Sequence, residues 1–351
     1  MSNSESMQFA PMRVVVRARS PAAASYVRSA GINPEAAVPQ EAALFGAAPS
    51  TADDLIFHGG KTIQDLKFTN FYVAGDTAWD ATDIQNIDQA LSAAMSDVNL
   101  NNVMRQYYNG PITSQFLGSH TLPGDAPAVV SQGDAEQLVG MLFQQGAFDG
   151  MDLASTVVNL MLPSGTILTT DEATTSAKTL SPMAKSKRKR KHPDPAIPVE
   201  DQARSDQGLG GFHGSIHMTM SGLGVTIYYA IGAFSEMLAN GTRNGIVAFD
   251  EPWKNVAGTL YHELNEARTD PDVEDAIRTR RSSFIGWTSR RGEEIGDSPI
   301  RNARNLSDVF QEVALTDGSG TVPVQFMYSN AVHMAEGPSP VARQRANAAG
   351  V

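Results

Sequence analysis

The sequence predicts an α/β (α+β) fold, a mixed sheet with helices packed on it. Three observations carry this. First, short runs of β-branched and aromatic residues alternate with segments of helical period, as FTNFYVA does with DIQNIDQALSAAM. Second, Ser155 to Met161 (STVVNLM) is an apolar, β-rich run, the pattern of a central strand. Third, the runs Ser215 to Met220 and Gly224 to Ile231 read as two strands of a hairpin joined by Ser221-Gly222-Leu223-Gly224.

Composition sets the outer limits. The chain has 351 residues, 41% of them apolar and 19% charged, so its bulk is globular with a sizeable core. A net charge of −11 argues against a general binder of nucleic acid or anionic membrane. There is no cysteine, which excludes disulfides, thiolate metal sites and cysteine nucleophiles together. Any metal must be held by His, Asp or Glu. No run is long and apolar enough to span a bilayer, and MSNSESMQFAPMRVVVRARSP has no apolar h-region. The expectation is a soluble protein, cytoplasmic by default, with export by another route left open.

Residues 1–50, rich in Ala, Pro and Ser, read as a loose lead-in, and 338–351 as a flexible tail. Between them, 51–337 reads as one domain with a disordered insert over about 170–208. Leu55-Ile56-Phe57 reads as a strand, as does Phe68 to Ala74. Thr82 or Asp83 would cap a helix to Met95, with Ile84, Ile87 and Leu91 on one face, and Asn99 to Tyr108 would continue as another. Asp134 would cap a helix to Gln144 that buries Ala135, Leu138, Val139 and Leu142. The insert contains the dense basic run Lys185 to Lys191, read as a solvated loop in preference to a polyanion-binding signal. Gly208 to Ser215 is glycine-dense but matches neither the phosphate loop nor the dinucleotide fingerprint. Asn305 to Val313 reads as a short helix and Thr321 to Met327 as a strand.

The chemistry concentrates in Trp253 to Arg281. Trp253, Val256, Leu260, Leu264 and Ala267 make the apolar stripe of a helix with Asp250 as N-cap. Pro271 ends that helix near Asp270 and starts a second. On the face away from the stripe stand His262 and Glu266, four apart and so able to hold one metal ion, with Glu263 beside them as a base. This is the zincin spacing with the second histidine replaced by glutamate. Gly292-Glu293-Glu294-Ile295-Gly296-Asp297 then offers three carboxylates to complete the ligand set. The hairpin before the helix is the candidate edge strand for pairing with an extended substrate.

HELNEARTDPD, GW, GEEIGD and VQFMYSNAVH, in this order, resemble a family of microbial zincin-like proteins. FHGGKTIQDLKFTNFYV and GGFHGSIH extend the resemblance to about Asp53 to Gly337, apart from the basic insert. The HGG segment is also similar, more weakly, to the plant exordium-like proteins. The resemblance implies a metallopeptidase-like fold with a zincin-like active-site helix. His262 and Glu266 would bind the metal, Glu263 would activate water, and Asp297 or Glu294 would be the third ligand. His213, His217 or Tyr328 would supply a further donor to the transition state. Zinc is the expected metal, with calcium, manganese or iron as alternatives because Glu266 makes the site harder and more anionic.

The function expected is therefore metal-dependent hydrolysis of a peptide or protein substrate, with Glu263 as general base. The alternative is a non-catalytic zincin-like binding or structural protein whose acidic site holds a structural cation or none. A polyanion-binding role for Lys185 to Lys191 ranks below both.

Overall fold

A computed structural model gives the fold and describes residues 50–170, 203–220, 223–272, 284–290 and 292–337. The lead-in before residue 50, the basic run Lys185 to Lys191, the helix expected after Pro271 and the tail from Pro338 lie outside the described residues.

In chain order the first elements are β1 (Leu55–Phe57), β2 (Asp65–Tyr72), α1 (Gly75–Ala78), α2 (Ala81–Ser96), a 3-10 segment (Leu100–Tyr107) and β3 (Thr113–Thr121). There follow β4 (Val129–Ser131), α3 (Gln132–Gln144), β5 (Thr156–Met161), β6 (Ile167–Thr169), β7 (Gly211–Met220) and β8 (Leu223–Gly232). The rest are β9 (Glu236–Met237), β10 (Arg243–Asn244), α4 (Pro252–Thr269), β11 (Trp287–Ser289), α5 (Asp297–Asn302), β12 (Phe310–Ala314), β13 (Thr321–Gln325), β14 (Met327–Ser329) and β15 (Met334–Glu336).

At the centre is a five-stranded sheet in the order β3-β2-β5-β8-β7. It is mixed: β3, β2, β5 and β8 run parallel, and β7 pairs antiparallel with β8 at one edge. Side chains alternate between its faces. Phe68, Tyr72, Val157, Met161, Tyr228 and Ala230 join α2 and α4 in one apolar core. Phe71, Val158, Leu160, Ile227, Tyr229 and Ile231 join α3 in another. Both faces are thus covered, and β5 is buried throughout.

Several boundaries differ from expectation, each for a local reason. Asp80, not Thr82 or Asp83, caps α2, its carboxylate accepting the Thr82 N–H at 2.7 Å. Ser131 caps α3, and Asp134 closes the reciprocal capping box three residues later. Asn305 to Val313 is not a helix: Asn305 and Asp308 cap a single 3-10 turn, after which β12 pairs with β13. Thr321 to Met327 divides into β13 and β14, which pair with β12 and β15 respectively. The insert ends earlier than expected: Ala203 and Ser205 are buried, and the Ser205 hydroxyl accepts the Leu168 N–H at 2.8 Å.

α4 sets up the site. It starts with Pro252 at the first position, and its N-cap is Glu251 rather than Asp250, without a side-chain cap bond. The apolar stripe expected from the sequence lies in the core. The opposite face is largely withdrawn from water, because every residue from Asn255 to Thr269 is buried. The helix packs against β7 and β8 on one side and against β13 on another. It sits close on the hairpin: a Cβ on Gly232 would come 2.3 Å from Leu260 Cδ2, so the Leu260 side chain would have to shift. At Gly211 a Cβ would fall 2.4 Å from Ile231 O and 3.1 Å from Glu263 Oε1. Within the glycine-dense stretch, Gly211 therefore serves close packing.

Candidate metal centre

Four elements converge here. α4 supplies His262, Glu263 and Glu266, β7 supplies His213, the turn entering α5 supplies Glu294 and Asp297, and β13 supplies Gln325. Two groups in the cluster could hold a metal ion, each with its donor atoms within 4.8 Å of one another. One is His213, Glu263 and Glu266, all buried; the other is His262, Glu266 and Asp297. Glu266 belongs to both.

His262 Nε2 lies 2.9 Å from Glu266 Oε2 and 3.9 Å from Glu263 Oε1. His213 Nδ1 lies 3.4 Å from Glu263 Oε2 and 3.8 Å from Glu266 Oε2. Glu266 Oε1 accepts the Gly296 N–H at 3.1 Å. Gly296 is a forced choice: a Cβ there would come 2.4 Å from His262 Nδ1.

The ring nitrogen facing away from the cluster is tied in each histidine. Gln325 donates through Nε2 to Gly296 O at 2.6 Å, which turns its Oε1 to His262 Nδ1, also at 2.6 Å. Nδ1 must then carry a hydrogen, leaving Nε2 to face the carboxylates. His213 Nε2 lies 3.1 Å from the Asp270 backbone oxygen, which can only accept, and 3.3 Å from Glu294 Oε1. Its Nδ1 is therefore the nitrogen offered to Glu263 and Glu266. Histidines that bind metals are oriented in this way.

Burial and charge oppose each other throughout. Burial pushes the His262 pKa down, but Glu266, Glu263 and Asp297 outweigh it and raise it to about 10. Burial acts likewise on His213, and Glu294, Glu263 and Glu266 carry it well above the usual imidazole range. Burial raises Glu263 and Glu294, and raises Asp297 further, helped in each case by carboxylate neighbours. Glu266 alone ends below the ordinary value: burial is its largest single influence, but the two imidazoles and the Gly296 N–H together overcome it. The shared carboxylate is thus the one most firmly ionised.

The three carboxylates of the GEEIGD turn part company. Glu293 is fully buried and binds Arg301 and the Ser298 hydroxyl. Glu294 goes to His213, and Asp297 to His262 and Glu266. His217 stays outside the cluster, with ring nitrogens 3.1 Å from Ser215 Oγ and 3.0 Å from Thr226 Oγ1. The Tyr328 hydroxyl is directed at Ser50 O and Asp54 Oδ1, 2.8 and 2.9 Å away. Gln325 escaped the sequence reading, since a glutamine ending a strand carries no signal of its partner.

A cavity of about 430 Å³ opens beside the cluster. His262, Glu263 and Asp297 are among its lining residues, together with Gly210, Gly211, Ile246 and Phe310. His213 and Glu266 are not among its lining residues. The donors are nitrogen and oxygen only, a set suited to zinc, manganese or iron. Neither the protein-family models, nor the curated proteins, nor the solved structures contain a match to this chain.

Proposed function

We propose that this protein is a metal-dependent hydrolase, a zincin-like metallopeptidase acting on extended peptides. The observation that carries the reading is the His262–Glu266 pair. The two side chains meet on one helix face with Asp297 alongside, and His262 and Asp297 line a cavity. His262 Nε2, Glu266 and Asp297 would hold a divalent cation, zinc by preference, which three protein ligands leave open to substrate. Such a cation supplies Lewis acidity, making water a stronger acid and drawing electron density from a carbonyl oxygen.

The chain's own groups do the rest. Glu263 lines the cavity with Oε1 3.9 Å from His262 Nε2, placed to take a proton from water and return it to the leaving amine. Gln325 and Gly296 hold His262 and Glu266 in their orientations. The apolar residues Ile246 and Phe310 offer a surface for a substrate side chain. A peptide is favoured because β7 is the edge strand of the sheet and begins at Gly211, in the cavity wall. An extended chain can add to such an edge by backbone hydrogen bonds.

The test is cleavage of a quenched-fluorescence peptide library by zinc-loaded protein. Cleavage should stop with a chelator, and Glu263→Gln should lower its rate by roughly 10²–10⁴. Protein that holds zinc tightly and leaves every peptide intact would assign the cluster to a structural cation instead.

A further inference from the structure

We propose that the cluster is built for two divalent cations with Glu266 between them. The proposal rests on the metal-dependent reading above and adds an inner ion to it. The outer ion belongs to His262, Glu266 and Asp297, against the cavity. The inner ion belongs to His213, Glu266 and Glu263 Oε2, behind it, which leaves Glu263 Oε1 on the His262 side as the base.

Three observations point this way. The first is the sharing itself. Each group is a full set of three donors, and the same oxygen, Glu266 Oε2, lies 2.9 Å from one imidazole and 3.8 Å from the other. Two-ion hydrolytic sites place their ions about 3.5–4 Å apart, and a carboxylate between two rings is suited to bridge them. Glu266 Oε1 is meanwhile fixed by the Gly296 N–H.

The second is the pair of histidines. A single-ion site needs one ring presented with its outer N–H tied to an acceptor. Here both rings are, His262 through Gln325 and His213 through Asp270 O and Glu294.

The third is charge. Glu263, Glu266, Glu294 and Asp297 crowd four carboxyl groups around two imidazoles. Buried charge is costly unless balanced. Arg301, the cation in the cavity wall, is already occupied by Glu293 and Asp53. One divalent cation and the imidazolium left beside it carry three positive charges against these four carboxyl groups, whereas two divalent cations carry four. Two histidines and four carboxylates are also the donor set of the dinuclear carboxylate proteins, there assembled on a helical bundle. Only the donor chemistry is shared with those proteins; the scaffold differs.

The experiment uses the full chain, stripped with a chelator, reloaded with Mn²⁺ alone and desalted. Manganese per chain is counted and the paramagnetic resonance spectrum recorded. The expected result is two Mn²⁺ per chain with an exchange-coupled spectrum. His213→Ala should lower the count to one and give the six-line spectrum of an isolated ion, and His262→Ala should also lower it to one. One Mn²⁺ per chain in the unaltered protein, with an isolated-ion spectrum, overturns the second ion and leaves the metal-dependent reading standing. No bound Mn²⁺ at all, with none of Zn²⁺ either, overturns both. Because His213 is buried, its variant is followed by circular dichroism. If it fails to fold, the count and spectrum of the unaltered protein still decide.

Discussion

The two faces of the central sheet are covered by helices that have opposite contents. α3 turns Ala135, Val139 and Leu142 onto a purely apolar cluster and keeps a wet outer side. α4 is buried from Asn255 to Thr269 and carries His262, Glu263 and Glu266 into the fold with it. The first face is ordinary hydrophobic stabilisation, in which apolar area leaves water and no ionised group is desolvated. The second sets desolvation against pairing, residue by residue. A chain gains nothing in stability by burying four carboxyl groups where leucines would fit. The difference between the faces therefore marks the second as the place where the fold gives up stability to keep a charged cluster that could hold a metal.

The largest effect should come from removing the residue common to both metal groups. Glu266→Ala leaves the His262 imidazolium without its 2.9 Å partner, a loss of about 3–5 kcal/mol for a broken buried pair. It should also abolish Mn²⁺ binding at both groups. Urea denaturation of the metal-free variant and a metal count check the two parts separately. Retention of both ions would show that Glu266 is not shared.

On the other face, Leu142→Ala should cost about 2–5 kcal/mol through the cavity it leaves in the α3 layer. Metal content should not change, since Leu142 belongs to the core cluster on the far side of the sheet. If both stability and metal content fell together, the faces would not be independent and the comparison would break.

The faces should also separate by pH. His262 is raised from 6.5 to about 10 in the fold, so its contribution is complete below 6.5 and is lost as pH rises through about 10. His213, Glu263, Glu294, Asp297 and Asp270 are all raised and act in the same direction. Glu266 is lowered, so its share is lost only on acidification. The Tm of metal-free protein should fall between about pH 7 and pH 10, while that of Mn²⁺-loaded protein should stay level, because cations replace the protons. Equal slopes for the two forms would remove the link between the charged cluster and metal.

Much of this was legible in the sequence and some was not, for identifiable reasons. β5 and the β7–β8 hairpin announced themselves through apolar runs and alternation, and α4 through its stripe at Val256, Leu260 and Leu264. β3 did not, because Thr113–Thr121 lies at the sheet edge with a largely polar, partly exposed run. His262, Glu263 and Glu266 could be read from helical spacing. Their burial could not, because the stripe rule sends charged faces to water, and here β7, β13 and the GEEIGD turn cover that face instead. His213 approaches Glu263 from 50 residues away in sequence. Only the sheet order, which places β7 under α4, brings it there. Nor could spacing tell that Glu293, Glu294 and Asp297 would each take a different partner.

The smallest effect tests how the charged face is held in order. Gln325 has no counterpart in the apolar cluster beneath α3. It sits on β13, accepts from His262 Nδ1 and donates to Gly296 O, so it couples the ring to the turn that carries Asp297. Replacing it by Leu removes the acceptor, leaves the Nδ1–H unsatisfied in a buried site, and frees the ring to turn. Losses of partners behind metal-binding histidines weaken affinity about 10–100-fold. Gln325→Leu should therefore raise the Kd for the outer Mn²⁺ by that factor while leaving the number of ions at saturation unchanged. Gln325→Glu restores an acceptor for Nδ1–H and should recover part of the affinity, which a merely space-filling role for Gln325 would not produce. An unchanged Kd in the leucine variant would mean that Asp297 and Glu266 position His262 without help from β13.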